Sequence, residues 1–144
     1  MALATGETVS YETRDGKVYV FRSLDGKKVD LSTSGEADLA DAKTNATANV
    51  TAHQTAVGAN KTIFTNRVTA LDGVATRTHE IVDSFGETVT VNEYDIEEDG
   101  VTKTFFVPLS DVSKASSEWE ANKTNVSLDQ THDDDLITAI AALA

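Results

Sequence analysis

Three histidines, 24 carboxylates and no cysteine are the side chains from which any chemistry in this chain would have to be built. A thiol nucleophile, a thiolate metal site and a disulfide are thereby excluded. His53, His79 and His132 lie far apart in sequence; His53 has no histidine or glutamate four residues away, and no zinc motif can be drawn. Two acidic clusters, Glu97-Glu98-Asp99 and Asp129 with Asp133-Asp134-Asp135, offer hard oxygen ligands suited to calcium or magnesium. The first reads better as a solvated hairpin tip. The second lacks the alternating aspartates and the loop-closing glutamate of a calcium loop, and reads as acid placed at the positive end of a helix. Weak divalent bridging between subunits is the lesser expectation there. No Gly-x-Ser-x-Gly elbow, phosphate loop or dinucleotide fingerprint occurs, and a Ser-His-Asp set would need a convergence that the sequence does not display. The expectation is therefore no enzyme and no cofactor, with no residue assigned a catalytic, cofactor-binding or metal-binding role.

The elements that would have to position such groups are more legible. At 144 residues and 40% hydrophobic the chain suits one compact domain, 1–144, and falls short of what two independent cores need. A formal charge of -12 repels phosphate backbones and anionic lipid, so neither nucleic acid nor membrane is an expected partner. The opening Met1-Ala-Leu-Ala-Thr-Gly-Glu has no basic region or apolar run of signal-peptide length, and no stretch approaches the ~20 apolar residues of a membrane span. Twenty threonines tilt the composition toward β-structure.

Four Asp-Gly dipeptides punctuate the chain, at 15–16, 25–26, 72–73 and 99–100. Asp-Gly suits the two-residue type I′ loop, which needs positive φ at both positions. The first two predict a meander over about 7–31, with Tyr11 opposite Val20, Val20 opposite Leu31, and Arg22 between Val9 and Val29. Turn chemistry alone then gathers Val9, Tyr11, Val18, Val20, Val29 and Leu31 on one face. Thr33 and Glu36 stand at capping-box spacing, and Leu39, Ala42, Ala46, Val50 and Val57 predict a helix over about 34–57, ending at Gly58.

Residues 60–85 read two ways. Asp72-Gly73 predicts a hairpin pairing Leu71 with Val74 and Ile63 with Val82, whereas Phe64, Val68, Leu71, Ala75, Val82 and Phe85 fit a coiled-coil stalk. The hairpin is the expectation, so β-hairpins are placed over about 61–108. Within them Asp99-Gly100 pairs Tyr94 with Phe105 and Ile96 with Lys103. The apolar face changes parity between Val91 and Tyr94, which calls for a bulge or for cover on both sides. Pro108 ends the strand, Ser110 caps a helix over about 110–122, and Asp133 opens a last helix over about 133–143 that docks on its own core. The fold class expected is α+β: antiparallel β-hairpins and a meander in two blocks, sharing one sheet or a two-layer sandwich, with an Ala-rich helix between them and short C-terminal helices. Tyr94, Phe105, Phe106 and Trp119 read as core rather than as a binding patch.

The stretch Thr62-Ile-Phe-Thr-Asn-Arg-Val-Thr-Ala-Leu-Asp-Gly, in a small, acidic, cysteine-free chain rich in Thr, Asn and Ala, resembles segments of bacteriophage fibre and decoration proteins. The resemblance covers about a third of the chain and transfers no functional residue. It implies a homo-oligomer on the virion exterior, made in the host cytoplasm, that binds capsid or tail proteins as a decoration or cement protein. Two readings of other classes stand beside it. Sequons at Asn45, Asn49, Asn60, Asn122 and Asn125 fit a surface filament or pilus subunit, although heavy threonine usage explains them more simply. A small metal-dependent hydrolase or ligand-binding domain would require carboxylates and a histidine to meet in one cleft.

Overall fold

Asp15, Asp25 and Asp99 take φ of 54°, 53° and 52°, and the glycines that follow them 73°, 76° and 76°. These are the paired left-handed residues of the type I′ turn, which holds two strands in tight antiparallel register. In the computed structural model, which describes residues 3–32 and 36–144, the first two turns build β1 (Thr8–Arg14), β2 (Lys17–Leu24) and β3 (Lys27–Asp30) into one sheet. Its register is the expected one: Tyr11 faces Val20, Arg22 lies between Val9 and Val29, and Leu31 N–H donates to Val20 O.

The third turn joins β5 (Thr88–Glu98) to β6 (Val101–Pro108), with Tyr94 opposite Phe105 and Ile96 opposite Lys103 as expected. Strand β4 (Arg77–Val82) completes a second, separate sheet in the order β4-β5-β6. Pairing along β5 is uninterrupted, so there is no bulge; β5 is central, with Asn92, Tyr94, Ile96 and Glu98 buried on one face and Val91 on the other. Val91 is buried between His79 and Pro108 on its neighbours, and on the opposite face Asn92 donates through Nδ2 to Tyr94 Oη.

Asp72-Gly73 makes no hairpin. Helix α1 runs Leu39–Asp72, well past the expected end at residue 57, and neither Leu71–Val74 nor Ile63–Val82 pairs. The β-branching of threonine lowers helix propensity only slightly, and the hydroxyls of Thr65 and Thr69 are satisfied within the helix by donating to the carbonyls four residues earlier. Gly58 does not end the helix, and the one contact a Cβ there would make, 2.9 Å to Gln130 Nε2, is with the movable end of a side chain. The expected capping box involves Thr33, which lies outside the described residues; Asp38 caps instead, its Oδ1 accepting from Asp41 N–H at 2.9 Å.

After Pro108, a 3₁₀ turn (Leu109–Asp111) starts without a side-chain cap from Ser110 and leads into α2 (Val112–Ala141). The two short helices expected over 110–122 and 133–143 are thus one. Nothing between Lys123 and His132 is a glycine or proline, and Thr124 and Thr131 bond back to the preceding turn. Asp133 therefore sits inside a helix rather than at its start.

Contacts divide the chain into two compact units, 1–58 with 127–144, and 59–126, so both long helices contribute to both. Each unit has its own core, where length had argued for one. In unit 1 Val18 and Val20 pack on Ala42, Ala46 and Val50 of α1 and on Leu136 and Ile140 of α2. The C-terminal end of α2 thus docks on its own core. Val20, Leu136 and Ile140 are fully buried, each stabilising by roughly 1.5–3 kcal/mol. In unit 2 Leu71, Tyr94 and Ile96 are buried with Phe105, Val107 and Trp119 against them.

Candidate functional site

In unit 1 a cleft of about 660 Å³ brings together groups that are scattered in sequence: Glu7 ahead of β1, Arg22 on β2, His53 on α1, and Asp129, His132 and Asp133 on α2. His53 Nδ1 lies 2.5 Å from Asp133 Oδ2, and His132 Nε2 lies 2.6 Å from Glu7 Oε2. Both carboxylates are almost wholly buried, with side-chain exposures of 4% and 3%. Glu7 also accepts from Ala4 N–H at 3.3 Å and lies 3.9 Å from Arg22 Nη1. Reading Asp133 as a helix start concealed this convergence. On a continuous helix His132 and Asp133 occupy adjoining faces, and each can meet a partner from a different element.

A carboxylate that orients an imidazole is the supporting half of a proton relay. The other half is missing: among the described residues lining the cleft there is no serine, threonine or tyrosine to act as nucleophile. Nor is there, among the described residues, a group of three or more His, Asp or Glu able to hold a metal ion. The couples have a clear mechanical consequence. His132–Glu7 fastens the segment ahead of β1 to α2, and His53–Asp133 fastens α1 to α2.

Comparison of the chain with protein-family models, curated proteins and solved structures gave no match.

Unit 2 uses its charges differently. Glu98, expected at a solvated hairpin tip, points inward and is 4% exposed. It takes Arg67 Nε at 2.6 Å and Nη2 at 3.0 Å, with Lys103 Nζ at 3.1 Å. The Arg67 hydrogen bonds draw the Glu98 carboxyl down to about 2 against the opposing effect of burial, and Lys103 adds to the pull. The guanidinium carbon of Arg67 is 4.3 Å from the Trp119 ring centroid and 4.8 Å from that of Phe105, so one side chain joins the ion pair to the aromatic core. On the opposite face of the sheet Arg77 binds Glu93 and Asp95. Its hydrogen bonds, with one from Thr104, hold the Asp95 carboxyl below the usual range, while Asp95 and then Glu93 raise Arg77. His79 Nδ1 completes the group, 3.2 Å from Glu93.

Unit 2 also exposes large apolar side chains. Phe85, in the β4–β5 turn, is 90% exposed and Phe106 63%, and Val74, Val82, Val101 and Leu109 are exposed as well. The core contains Tyr94, with Phe105 and Trp119 packed against it, but Phe106 alternates to the outer face, where it stands opposite Glu93. Sequence reasoning placed all four aromatics inside; the alternation of β6, which its Pro108 and turn define, was the signal that separates them. The sequon asparagines all lie on α1 or α2. Two donate through Nδ2 within unit 1, Asn45 to Glu36 Oε1 and Asn49 to Leu31 O. Among the described residues no helix is long and apolar enough to cross a membrane.

Proposed function

We propose that the protein is a non-enzymatic structural component of a virion exterior, a capsid decoration or cement protein that works as a homo-oligomer through contacts with capsid or tail proteins. The observation that carries this reading is the exposed apolar set of unit 2, headed by Phe85 and Phe106. Large apolar side chains left uncovered in this number lower their free energy when another protein covers them. A charge of -12 suits the outside of a particle better than its DNA-lined interior. In the test, particles purified from the producing cells are examined by mass spectrometry, and recombinant protein is sedimented with particles stripped of it. The chain is expected in both pellets, and Phe85→Ser with Phe106→Ser is expected to abolish sedimentation while Trp119 fluorescence stays native. Absence from particles, or sedimentation indifferent to the two substitutions, would refute the reading.

The cleft favours a second reading, a ligand-binding or hydrolytic domain, because His53, His132 and their carboxylates do meet there. A small-molecule thermal-shift screen in which a hit is lost on His132→Ala would move the conclusion to that site. The filament reading keeps its own discriminator, glycan mass on Asn60.

A further inference from the structure

Among the described residues strand β3 is an open edge. All four of its residues, Lys27-Lys28-Val29-Asp30, are exposed, and among the described residues its sheet continues only toward β2. The phase of its hydrogen bonding follows from Leu31, whose N–H donates to Val20 O. In an antiparallel ladder bonding alternates residue by residue, so Val29 turns its backbone toward β2, and Lys28 and Asp30 turn theirs outward. An exposed edge of this kind is a template for another strand.

We infer that β3 pairs with β3 of a second copy about a two-fold axis through Val29. For two identical antiparallel edges only the outward residues can exchange backbone bonds, which leaves three registers. Lys28 opposite the partner's Lys28 sets cation against cation, and Asp30 opposite the partner's Asp30 sets anion against anion. The third, Lys28 opposite the partner's Asp30, forms an opposite-charge pair twice by symmetry and sets Val29, 46% exposed, against the partner's Val29. Charge therefore selects one register, and the product is a continuous six-stranded sheet. Lys28 already meets Glu12 at 3.4 Å, a solvent-exposed ion pair that contributes little and yields readily, and lies 5.3 Å from the Phe21 ring centroid; Asp30 accepts from Ser32 N–H and Oγ through Oδ1, so the pair with the partner's Lys28 is made through Oδ2. Strand β4 has no cation among its outward residues, so no register there is selected by an opposite-charge backbone pair. The bond from Asp83 N–H to Glu87 O fixes its phase, turning Thr78, Glu80 and Val82 outward, and a two-fold pairing there sets Glu80 against the partner's Glu80, Thr78 or Val82, none of them a cation.

The inference rests on the reading of the protein as one that works through contacts with its own copies. The edge is short, so the dimer is expected to be weak, with Kd on the order of 10–100 micromolar. The chain has no cysteine, so Val29→Cys is a clean probe. At the axis the two Cα atoms form a non-hydrogen-bonded pair about 4.5 Å apart, inside disulfide range. Mild oxidation should convert Val29→Cys to a covalent dimer within minutes and leave Lys27→Cys monomeric. In sedimentation, Lys28→Glu should weaken association at least tenfold, and Lys28→Glu with Asp30→Lys should restore it. Glu80→Lys should have no effect. Failure of Val29→Cys to cross-link, indifference to Lys28→Glu, or dissociation by Glu80→Lys overturns the inference. If stripped particles still take up the native protein in that event, the virion reading survives alone; if cross-linking succeeds while particles lack the protein, only the dimer stands.

Discussion

The two units solve the same problem, a three-stranded sheet packed on segments of two helices, with different materials. Unit 1 has an aliphatic core of Val, Ala, Leu and Ile, and keeps its buried carboxylates, Glu7 and Asp133, at the edge of a cleft where histidines meet them. Unit 2 has a core of Tyr94, Phe105 and Trp119 and threads a buried ion pair through it, with Arg67 stacked on two rings and forked onto Glu98. The difference teaches where each unit is vulnerable. An aliphatic core fails by cavity formation, whereas a charge-bearing core fails when one partner is removed and the other is left buried.

Three outcomes should separate the units, beginning with the largest. Arg67→Ala is expected to destabilise unit 2 by about 3–5 kcal/mol, because Glu98 stays buried with Lys103 alone. The single tryptophan, Trp119, reports it directly, and a native-like denaturation curve would mean that the ion pair is not integral to the core. Leu136→Ala in unit 1 is expected to cost about 3 kcal/mol through the cavity it leaves, read by hydrogen exchange. Protection should fall first in β1 and β2 and last in β5; loss of protection in β5 to the same extent would show that the units do not open separately.

The smallest effect is the acid limb. The Glu98 carboxyl lies near 2 in the folded chain and near 4.5 when unfolded, so it binds fewer protons when folded. Its contribution is complete above about pH 4.5 and is lost as pH falls toward 2. Trp119 fluorescence should track this loss, and Glu98→Gln should flatten the slope. A slope unchanged by that substitution would assign the acid response to other carboxylates.

The hairpins were legible because three Asp-Gly pairs have only one low-energy way to reverse the chain, and two-residue loops leave no freedom of register. The fourth pair, identical in sequence, was misread because its flanks decide. Leu71 is buried in the core of unit 2, and Asp72 Oδ1 accepts from Ser116 Oγ at 2.6 Å on α2, contacts that a local rule cannot include. The site suffered more than the fold. A helix taken to begin at Asp133 turns three aspartates into a solvated cap, and only a continuous α2 turns the first of them into the buried partner of His53.

From sequence alone came the α+β class, the meander and its register, the β5–β6 pairing, the excess of negative charge and the exclusion of thiol chemistry. These follow from short-range constraints: backbone sterics at glycine, side-chain alternation and plain counting. Tertiary structure decided the length of both helices, the split into two cores, and the meeting of Glu7, His53, His132 and Asp133. Each of these depends on partners 80 or more residues apart or on competition between strand and helix that packing resolves, and local propensities differ by too little to settle it.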